Sequence, residues 1–356
     1  MNILHLQTEL NITCGVTKTI YLLCQNLDEN YHNYIIALGG DAINKFTDTN
    51  IPVTTIHIGR NSIIGSLRIF FKIFNYCKKN KIDVIHSHHR YFDLLAYIVS
   101  KIHHIKTICS VQSKVTGKKR ISYKSDYLIA VSNSIKCHLL NYFNVDKKKI
   151  VVINNFVDPS EVKIKHDKNK MKEKLGIPSR SFIISFIGRF SIREKGIDIL
   201  LKAFKDLYVS YSNIYLLLIG DGDDSVFIYD FIEKNSIPCK VIPPQINIFD
   251  YYNLIDVLIL PSRIEPFGIV VIEAGLMKKI CIGSSVDGIK EIIENNIDGL
   301  LFESENIESL VDKIKIIISD RHKFEFLANN LYEKVISRFS SDKIIPQYKN
   351  LYNSIK

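Results

Sequence analysis

The stretch E-P-F-G-I-V-V-I-E places the carboxylates of Glu265 and Glu273 eight residues apart. The run 256–262 before it, D-V-L-I-L-P-S, is apolar with β-branched residues, which is typical of a strand buried on both faces of a parallel sheet. Pro266 suits the first position of a helix, where its missing N–H costs nothing. A helix is therefore predicted over 267–277, with one carboxylate before it and one inside it.

The spacing of these carboxylates suits one class of ligand. At ~1.5 Å of rise per residue, eight steps separate them by roughly 12 Å, about the length of a sugar diphosphate. Glu265 would meet one end and Glu273 the other, while the helix N–H groups and dipole face the anionic middle. Gly268 lets another group approach the backbone. The plainer alternative is a capping carboxylate at Glu265 and a solvated carboxylate at Glu273.

Two cations follow a second predicted strand. Strand 182–187 runs into G-R-F, which contains Arg189, and Lys195 stands before Gly196 and a helical pattern. Parallel sheets bind ligands at the carboxyl ends of their strands, where such cations can bracket phosphate oxygens. Taken alone they would be solvated turn charges; together with the carboxylate pair they indicate a phosphate site.

A third candidate is the acidic run G-D-G-D-D at 220–224, in which Asp221 and Asp223 form a D-x-D pattern. That pattern holds a divalent metal in some sugar transferases, but aspartates are also ordinary turn residues after a strand. The turn interpretation is favoured, and no metal is expected.

Histidines mark the corresponding strand end in the first half. D-V-I-H-S-H-H places His86 and His88 at the end of a buried strand, on one face by the period of two. One ring is expected to pack in the core and the other to line a cleft. Gly15 lies in the predicted loop after the first strand, where the missing Cβ would admit a phosphate.

The chain is long enough, at 356 residues, for two cores. Strand-like runs alternate with helical patterns in both halves, which predicts an α/β fold with parallel sheets. The polar segment 159–178 is the expected junction. The predicted domains are 1–163, with the amphipathic segment 340–356 packing back onto it, and 164–339.

Seven scattered cysteines, without a C-x-x-C pair, predict reduced core thiols in a cytoplasmic protein. The start M-N-I-L-H-L lacks the regions of a signal peptide, and no apolar run reaches the ~18 residues of a membrane span.

The charge is uneven: residues 1–160 contain 20 Lys and Arg against 10 Asp and Glu, and the remainder contains 27 of each. The excess comes from the loop 114–120 and from a predicted helix, 63–79, that mixes large apolar and basic residues. An anionic partner of the first half is expected: a membrane surface or a phosphorylated acceptor. Nucleic acid is disfavoured because aromatic and basic residues do not interleave as in RNA-binding modules.

Taken together, these residues resemble the retaining glycosyltransferases of family 4, which have the GT-B fold. The likeness covers nearly the whole chain, and the E-x-seven-E motif is its most specific part. The motifs that carry it are E-P-F-G-I-V-V-I-E, G-R-F with K-G, G-D-G, V-I-H-S-H, A-V-S-N-S at 130–134 and I-N-N-F-V-D at 153–158.

The resemblance implies an α/β chain of two facing Rossmann-like domains, with a C-terminal helix that crosses back to the first. It implies that Glu265 contacts hydroxyls of the donor sugar, Glu273 the ribose, and Arg189 with Lys195 the diphosphate. No metal or cofactor is implied, and the leaving phosphate takes the proton of the acceptor while configuration is retained.

The remaining site residues follow from the same resemblance. His88, or with less support His86, would line the reaction centre, so that His88 and Glu265 are the predicted catalytic residues. Phe267 and Gly268 would join the donor-binding set, and Gly15 would let the first loop approach the donor. The sequence departs from the family pattern at Cys14, which replaces the first glycine of a Gly-Gly pair.

The predicted activity is transfer of a hexose from a nucleotide sugar, expected to be a UDP-sugar, to a lipid-linked, lipopolysaccharide or capsule saccharide. The expected location is the cytoplasm, peripherally at the inner face of the membrane. One alternative is a nucleotide-sugar epimerase of the same fold. Another, supported only by charge, is a non-catalytic binder of nucleotide or nucleic acid.

Overall fold

The computed structural model describes residues 1–57 and 63–355. The chain divides into two compact units, Met1–Asn155 with Ser341–Lys356, and Phe156–Ser340. The division lies between Asn155 and Phe156, ahead of the boundary expected after residue 163. Val157 explains it, because its N–H donates to the carbonyl of Phe339 (2.9 Å) and thereby joins the second unit.

The strands, numbered in chain order, are β1 Asn2–Gln7, β2 His32–Ala37, β3 Val53–Thr55, β4 Val84–Ser87, β5 Lys106–Val111, β6 Tyr127–Ala130, β7 Ile150–Val152, β8 Phe182–Ile187, β9 Ile214–Ile219, β10 Cys239–Ile242, β11 Val257–Leu260, β12 Ile280–Ser284 and β13 Leu300–Phe302.

The α-helices are α1 Gly15–Asn26, α2 Ile43–Thr47, α3 Ile63–Lys79, α4 Arg90–His103, α5 Asn133–Asn141, α6 Lys168–Leu175, α7 Ile192–Lys195, α8 Ile197–Tyr208, α9 Ser225–Lys234, α10 Phe249–Leu254, α11 Ile269–Leu276, α12 Ile289–Ile292, α13 Ile307–Ser319, α14 Glu325–Lys334 and α15 Ser341–Ser354. A π-helical turn, Val335–Phe339, continues α14.

The first unit is built on a seven-stranded sheet in the order β3-β2-β1-β4-β5-β6-β7. All its strand pairs are parallel. This is the Rossmann order, in which the connection reverses direction between β1 and β4. The apolar residues of β1 and β4 are buried, which explains why these segments read as continuous hydrophobic runs. A ligand site is expected at the carboxyl ends of β1 and β4.

The second unit repeats this topology in a six-stranded parallel sheet, β10-β9-β8-β11-β12-β13. Its core joins the sheet to α8 and α13, whose apolar stripes are fully buried. The switch point lies between β8 and β11. The predicted motif G-R-F directly follows β8, and E-P-F-G lies in the loop after β11, beginning five residues past its end.

The predicted elements match closely where periodicity is strong. The helix 63–79 and the strand 182–187 have the predicted bounds, and the apolar run 214–219, which also predicts a strand, forms one with those bounds. The apolar pattern of 51–58 also predicts a strand, but the strand is only Val53–Thr55, and position 58 lies outside the described residues. Gly15, expected in a loop, is the first residue of α1.

The prediction for 267–277 was wrong at its start. The helix α11 begins at Ile269, and Gly268, with φ 108°, is its N-cap. Pro266 and Phe267 therefore lie in the loop before the helix. The rise of roughly 12 Å does not apply to Glu265 and Glu273, because only the last part of the interval is helical.

All seven cysteines are free, as predicted. The prediction of core thiols was wrong for three of them, because Cys137 is exposed and Cys14 and Cys239 are only partly buried. Within residues 1–57 and 63–355, every helix is too short or too polar to cross a bilayer.

Candidate functional site

The centre of the site in the second unit is an ion pair between Lys195 and Glu265. The Lys195 ammonium lies 2.7 Å from Glu265 Oε2, with side chains 23% and 9% exposed. The hydroxyl of Ser262 donates to the same oxygen at 3.2 Å. The pair joins the loops that follow β8 and β11, so the two predicted motifs meet at the switch point of the sheet.

Two glycines make this approach possible. Gly196 has φ 61°, and a Cβ there would lie 2.1 Å from the carbonyl oxygen of Pro261. Gly288 follows β12, and a Cβ there would lie 2.4 Å from Cα of Phe267; its N–H donates to the Glu265 carbonyl at 2.9 Å. Sequence reasoning did not identify Gly288, because its neighbours are close in space and distant in sequence.

A second ion pair, also missed from the sequence, holds the two loops together. Arg263 binds Asp198 of α8 through two nitrogens, at 2.7 and 3.1 Å. The backbone N–H groups of Arg263 and Ile264 both donate to the carbonyl of Glu194, at 2.8 and 3.0 Å. Lys195 is the next residue, so these contacts position its ammonium against Glu265.

Arg189 lies in the turn after β8 and pairs with Glu194. Both side chains are about half exposed, so the guanidinium remains open to solvent. The turn itself packs on the turn after β9. A Cβ at Gly220 would lie 1.9 Å from the carbonyl oxygen of Gly188, and Phe190 N–H donates to the backbone carbonyl of Asp221 at 2.9 Å. The G-D-G sequence therefore supports the G-R-F turn.

The acidic run after β9 is engaged in turn hydrogen bonds. Asp221 Oδ1 accepts from Gly222 N–H and from Ser225 Oγ, both at 2.7 Å. The hydrogen bond from Ser225 lowers the pKa of Asp221. Asp224 accepts from the N–H of Ile192 at 2.7 Å. These contacts agree with the turn interpretation of G-D-G-D-D.

Phe267 is a packing residue. Its side chain is buried, and its ring meets Phe339 edge-on at 5.6 Å. The backbone of Phe267 is therefore the part that a donor molecule could contact, and its place in the donor-binding set stays a prediction. Glycine is required at position 268 because the backbone there has a positive φ. Space is not the reason, since a Cβ would meet nothing closer than 3.6 Å.

Glu273 lies in the first turns of α11 and is buried. Its Oε2 accepts a hydrogen bond of 2.7 Å from the hydroxyl of Tyr252 on α10. Burial and the adjacent carboxylate raise the pKa of Tyr252, so the phenol stays protonated and acts as the donor. Tyr252 was not identified from the sequence.

In the first unit, His86 and His88 have different environments. His86 Nδ1 contacts the Tyr352 hydroxyl of α15 and Nε2 contacts Ser110 Oγ, each at 2.8 Å. Both ring nitrogens are thus occupied. The His88 Nε2 lies 3.1 Å from His5 Nδ1, and its buried Nδ1 has no partner among the described residues. Of the two histidines, His88 is therefore the one whose ring nitrogen, Nδ1, could bind a ligand.

His5, which sequence reasoning did not identify, completes a buried group of three histidines. Their ligand atoms lie within 4.8 Å of one another. Burial lowers the pKa of His5 to about 4 and those of His86 and His88 well below 6.5, so all three rings are neutral at pH 7. A metal ion here would have to displace the hydrogen bonds of His5 and His86, so the donor set does not favour one.

Among the helices that begin without a side-chain cap from the described residues are α1, α8 and α11. Cys14, Gly196 and Gly268 occupy the N-cap positions. Each of these helices follows a strand at or beside a switch point. Their first N–H groups are therefore available to an anion.

Two Rossmann-like units, each with a parallel sheet, are the architecture of the GT-B class. The model "Glycosyltransferase Family 4" matches residues 13–161, and "Glycosyl transferases group 1" matches residues 167–335. The chain belongs to the family-4 glycosyltransferases.

Similar proteins agree with this assignment. An uncharacterised glycosyltransferase of Methanocaldococcus jannaschii is 28% identical over 77% of this chain and 75% of its own. The UDP-Gal:α-D-GlcNAc-diphosphoundecaprenol α-1,3-galactosyltransferase of Escherichia coli is 24% identical over 82% and 80%. The structure of Anabaena HepE in complex with UDP-glucose has a TM-score of 0.88 at 19% identity, over 99% of this chain and all of that chain.

Proposed function

We propose that this glycosyltransferase moves a hexose from a nucleotide sugar, with UDP as the nucleotide, to a saccharide carried on a lipid. The observation that carries the proposal is the Lys195–Glu265 pair at the switch point of the second sheet. A lysine ammonium has three N–H donors, so one can hold Glu265 while others meet diphosphate oxygens. Glu265, held in place, would accept hydrogen bonds from sugar hydroxyls.

The rest of the second-unit site supports the same ligand. The N-termini of α8 and α11 offer N–H groups to a diphosphate, and the open guanidinium of Arg189 adds a second cation. Glu273 would bind the ribose, with Tyr252 orienting its carboxylate. In the first unit, His88 would contact the sugar through Nδ1, and Gly15 would admit the donor at the start of α1.

We further propose that the reaction is independent of metal and retains configuration. Lys195 and Arg189 would stabilise the charge that develops on the leaving phosphate. That phosphate would accept the proton of the attacking hydroxyl on the same face of the sugar, so no separate base is required.

Relatives support the substrate classes. The E. coli relative is named for transfer from UDP-galactose to a sugar on diphosphoundecaprenol. The Anabaena neighbour binds UDP-glucose in its solved structure. A UDP-hexose and a lipid-diphosphate saccharide are therefore the substrates to test first.

The test is a screen of UDP-glucose, UDP-galactose, UDP-N-acetylglucosamine and GDP-mannose with a prenyl-diphosphate saccharide, with chelator present. We expect one UDP-sugar to be consumed and the product to keep the anomeric configuration, read by NMR. Glu265→Gln should lower kcat/KM about 100-fold or more because the carboxylate charge is lost. Unchanged turnover in this variant would refute the site.

The same reaction without acceptor tests the epimerase alternative. An isomeric nucleotide sugar formed without acceptor would establish epimerisation in place of transfer.

A lipid-linked acceptor brings the enzyme to a membrane, and we propose that α3 is the docking surface. Ile64, Leu67 and Phe71 lie along its outer face and are 65, 52 and 57% exposed. The opposite face is buried through Gly65, Ile69, Ile73 and Cys77. Packing within the protein therefore does not explain these three large apolar side chains.

The basic residues of α3 indicate which kind of partner binds this face. Arg68, Lys72, Lys78 and Lys79 are exposed on the same side, and the helix contains no acidic residue. Two copies of this face would bring like charges together, whereas anionic lipid headgroups neutralise them as the apolar residues enter the bilayer boundary. A membrane with anionic lipid is therefore the expected occupant.

Co-sedimentation with vesicles of phosphatidylcholine mixed with phosphatidylglycerol tests the docking surface. Leu67→Ser with Phe71→Ser should reduce binding about tenfold or more, since two large side chains no longer enter the lipid. The matched control, Val226→Ser with Tyr229→Ser, changes exposed apolar residues of the second unit and should bind as the wild type does. Equal binding of both variants to the vesicles would exclude membrane docking by α3. So would a dimer of the wild-type protein that is lost only in the variant with Leu67→Ser and Phe71→Ser.

A further inference from the structure

Three buried polar atoms of the first unit have no hydrogen-bond partner among the described residues: Gln7 Oε1, His88 Nδ1 and Gln112 Nε2. Gln7 ends β1, His88 directly follows β4, and Gln112 directly follows β5. These strands are neighbours in the order β1-β4-β5. The three unpaired atoms therefore lie along one edge of the sheet, at its switch point.

The side chains form two layers on one face of this sheet. In the lower layer, His5 is opposite His86 in the strand register, and Ser110 contacts His86. Each residue two positions further along its strand faces the same way. The upper layer consists of Gln7, His88 and Gln112. Gln7 is level with His88 in the register of β1 and β4, and Gln112 lies two residues further along β5, so both layers run obliquely across the strands.

Only the lower layer is satisfied internally. A buried polar atom without a partner destabilises the fold, so native proteins retain such atoms where a ligand or water completes their hydrogen bonds. Three such atoms, from two residue types, lie at the carboxyl ends of adjacent strands and together indicate a binding site. We propose that Gln7, His88 and Gln112 bind hydroxyl groups of a saccharide, a deepening of the proposed function on which it rests.

The hydrogen-bond direction at His88 follows from its neighbours. Asn33 Oδ1 lies 3.1 Å from His5 Nε2 and accepts a hydrogen bond from its N–H. His5 is neutral, so its Nδ1 accepts in turn from His88 Nε2, 3.1 Å away. His88 is also neutral, which leaves a lone pair on Nδ1. Asn33 and His5 are thus positioning residues that make His88 Nδ1 an acceptor.

The upper layer therefore presents two acceptors, at Gln7 and His88, and one donor, at Gln112. Their backbones span two strand spacings and an offset of two residues along β5, about 12 Å in all. A hydroxyl both donates and accepts, so neighbouring hydroxyls of a sugar can complete all three atoms, whereas a phosphate or carboxylate cannot donate to the two acceptors. The saccharide is either the donor hexose or the acceptor.

Stability and kinetics together test the subsite. Gln7→Leu and Gln112→Leu remove unpaired buried atoms at similar volume, so the melting temperature should stay the same or rise. Each should lower kcat/KM about 5- to 10-fold, the equivalent of one hydrogen bond. Gln347→Leu, on the exposed face of α15, is the matched control and should change neither. Lower melting temperatures with unchanged kinetics would show that the glutamines only pack.

Two further measurements identify the sugar. A higher KM for the UDP-sugar, with binding of UDP itself unchanged in calorimetry, assigns the subsite to the donor hexose. A higher KM for the acceptor alone assigns it to the acceptor. Equal weakening of UDP and UDP-sugar would contradict recognition of sugar hydroxyls. The stability comparison remains informative even if no nucleotide sugar is turned over.

The positioning residues are tested by the ring nitrogens of histidine-labelled, full-length protein in NMR at neutral pH. We expect His5 and His88 each to carry the proton on Nε2, with Nδ1 of His88 unprotonated. Asn33→Asp keeps the acceptor and should keep this pattern, whereas Asn33→Leu should mix the tautomers and lower kcat/KM. A proton on His88 Nδ1, or a zinc ion bound to these nitrogens, would overturn the arrangement.

Discussion

At the scale of single residues, the site depends on charges that are held out of water. Lys195 and Glu265 are the clearest example, because each is the partner that makes burial of the other tolerable. The sequence pointed to both residues, through the E-x-seven-E stretch and the K-G turn. It did not indicate that they contact each other, since 70 residues separate them.

Lys195→Met should destabilise the protein by about 3 kcal/mol, because the buried Glu265 carboxylate loses its cation. Donor turnover should fall about 100-fold or more. Changing Glu265 to Leu as well should restore much of the stability and none of the activity. Urea unfolding and donor kinetics measure both effects, with Lys205→Met on the exposed face of α8 as the control. A stable but inactive single variant would show that the pair contributes only to catalysis.

The three buried histidines predict acid sensitivity. The folded protein keeps His5, His86 and His88 neutral, whereas the unfolded chain protonates them near the ordinary pKa of 6.5. Stability is therefore complete above pH 6.5 and is lost as the pH falls towards 4, by up to ~1.4 kcal/mol per pH unit for each ring. Urea titrations across this range should show a smaller slope for His5→Gln. His322→Gln, at an exposed ring, should keep the wild-type slope.

At the scale of elements, the segments after β8 and β11 act as one unit because they bind each other directly and α8 also binds the second. Asp198 at the start of α8 holds Arg263, and the carbonyl of Glu194 accepts from Arg263 and Ile264. Periodicity predicted these strands and helices closely, but it contains no information on which loops contact each other. The start of α11 was missed because Pro266 fits a first helical turn and a loop equally well.

Arg263→Met should cost about 3 kcal/mol and raise the donor KM, since Asp198 loses a bidentate partner and Lys195 loses its support. Lys202→Met is the matched control: Lys202 contacts the same Asp198 carboxylate at 3.6 Å but is 49% exposed. It should change stability by less than about 0.5 kcal/mol. Similar losses in both variants, measured by urea unfolding, would mean that the loops do not depend on Arg263.

At the scale of the whole molecule, the end of the chain completes the first unit. Helix α15 buries Ile344, Ile345, Tyr348, Leu351 and Tyr352, and the Tyr352 hydroxyl binds His86. The amphipathic pattern of 340–356 predicted that this segment docks. The contact with a strand-end histidine was not predictable, because it joins residues that are 266 positions apart.

Tyr352→Phe should destabilise the first unit by about 1–2 kcal/mol, because buried His86 Nδ1 loses its partner. Hydrogen exchange should accelerate in β1, β4 and β5 and stay unchanged in the second unit. Tyr229→Phe, which removes an exposed hydroxyl, should leave exchange in the first unit as in the wild type. Faster exchange throughout the chain would show that this contact stabilises more than the first unit.

The sequence by itself determined the class of this protein: two parallel α/β units, the family, and most of the charged residues at the strand ends. These follow from local periodicity and from motifs whose residues are contiguous. The tertiary structure decided which residues act together: Lys195 with Glu265, Arg263 with Asp198, Tyr252 with Glu273, and His5 with His88. Pairings of this kind depend on strand order and loop packing. They arise only when the folded backbone brings distant segments within hydrogen-bonding distance.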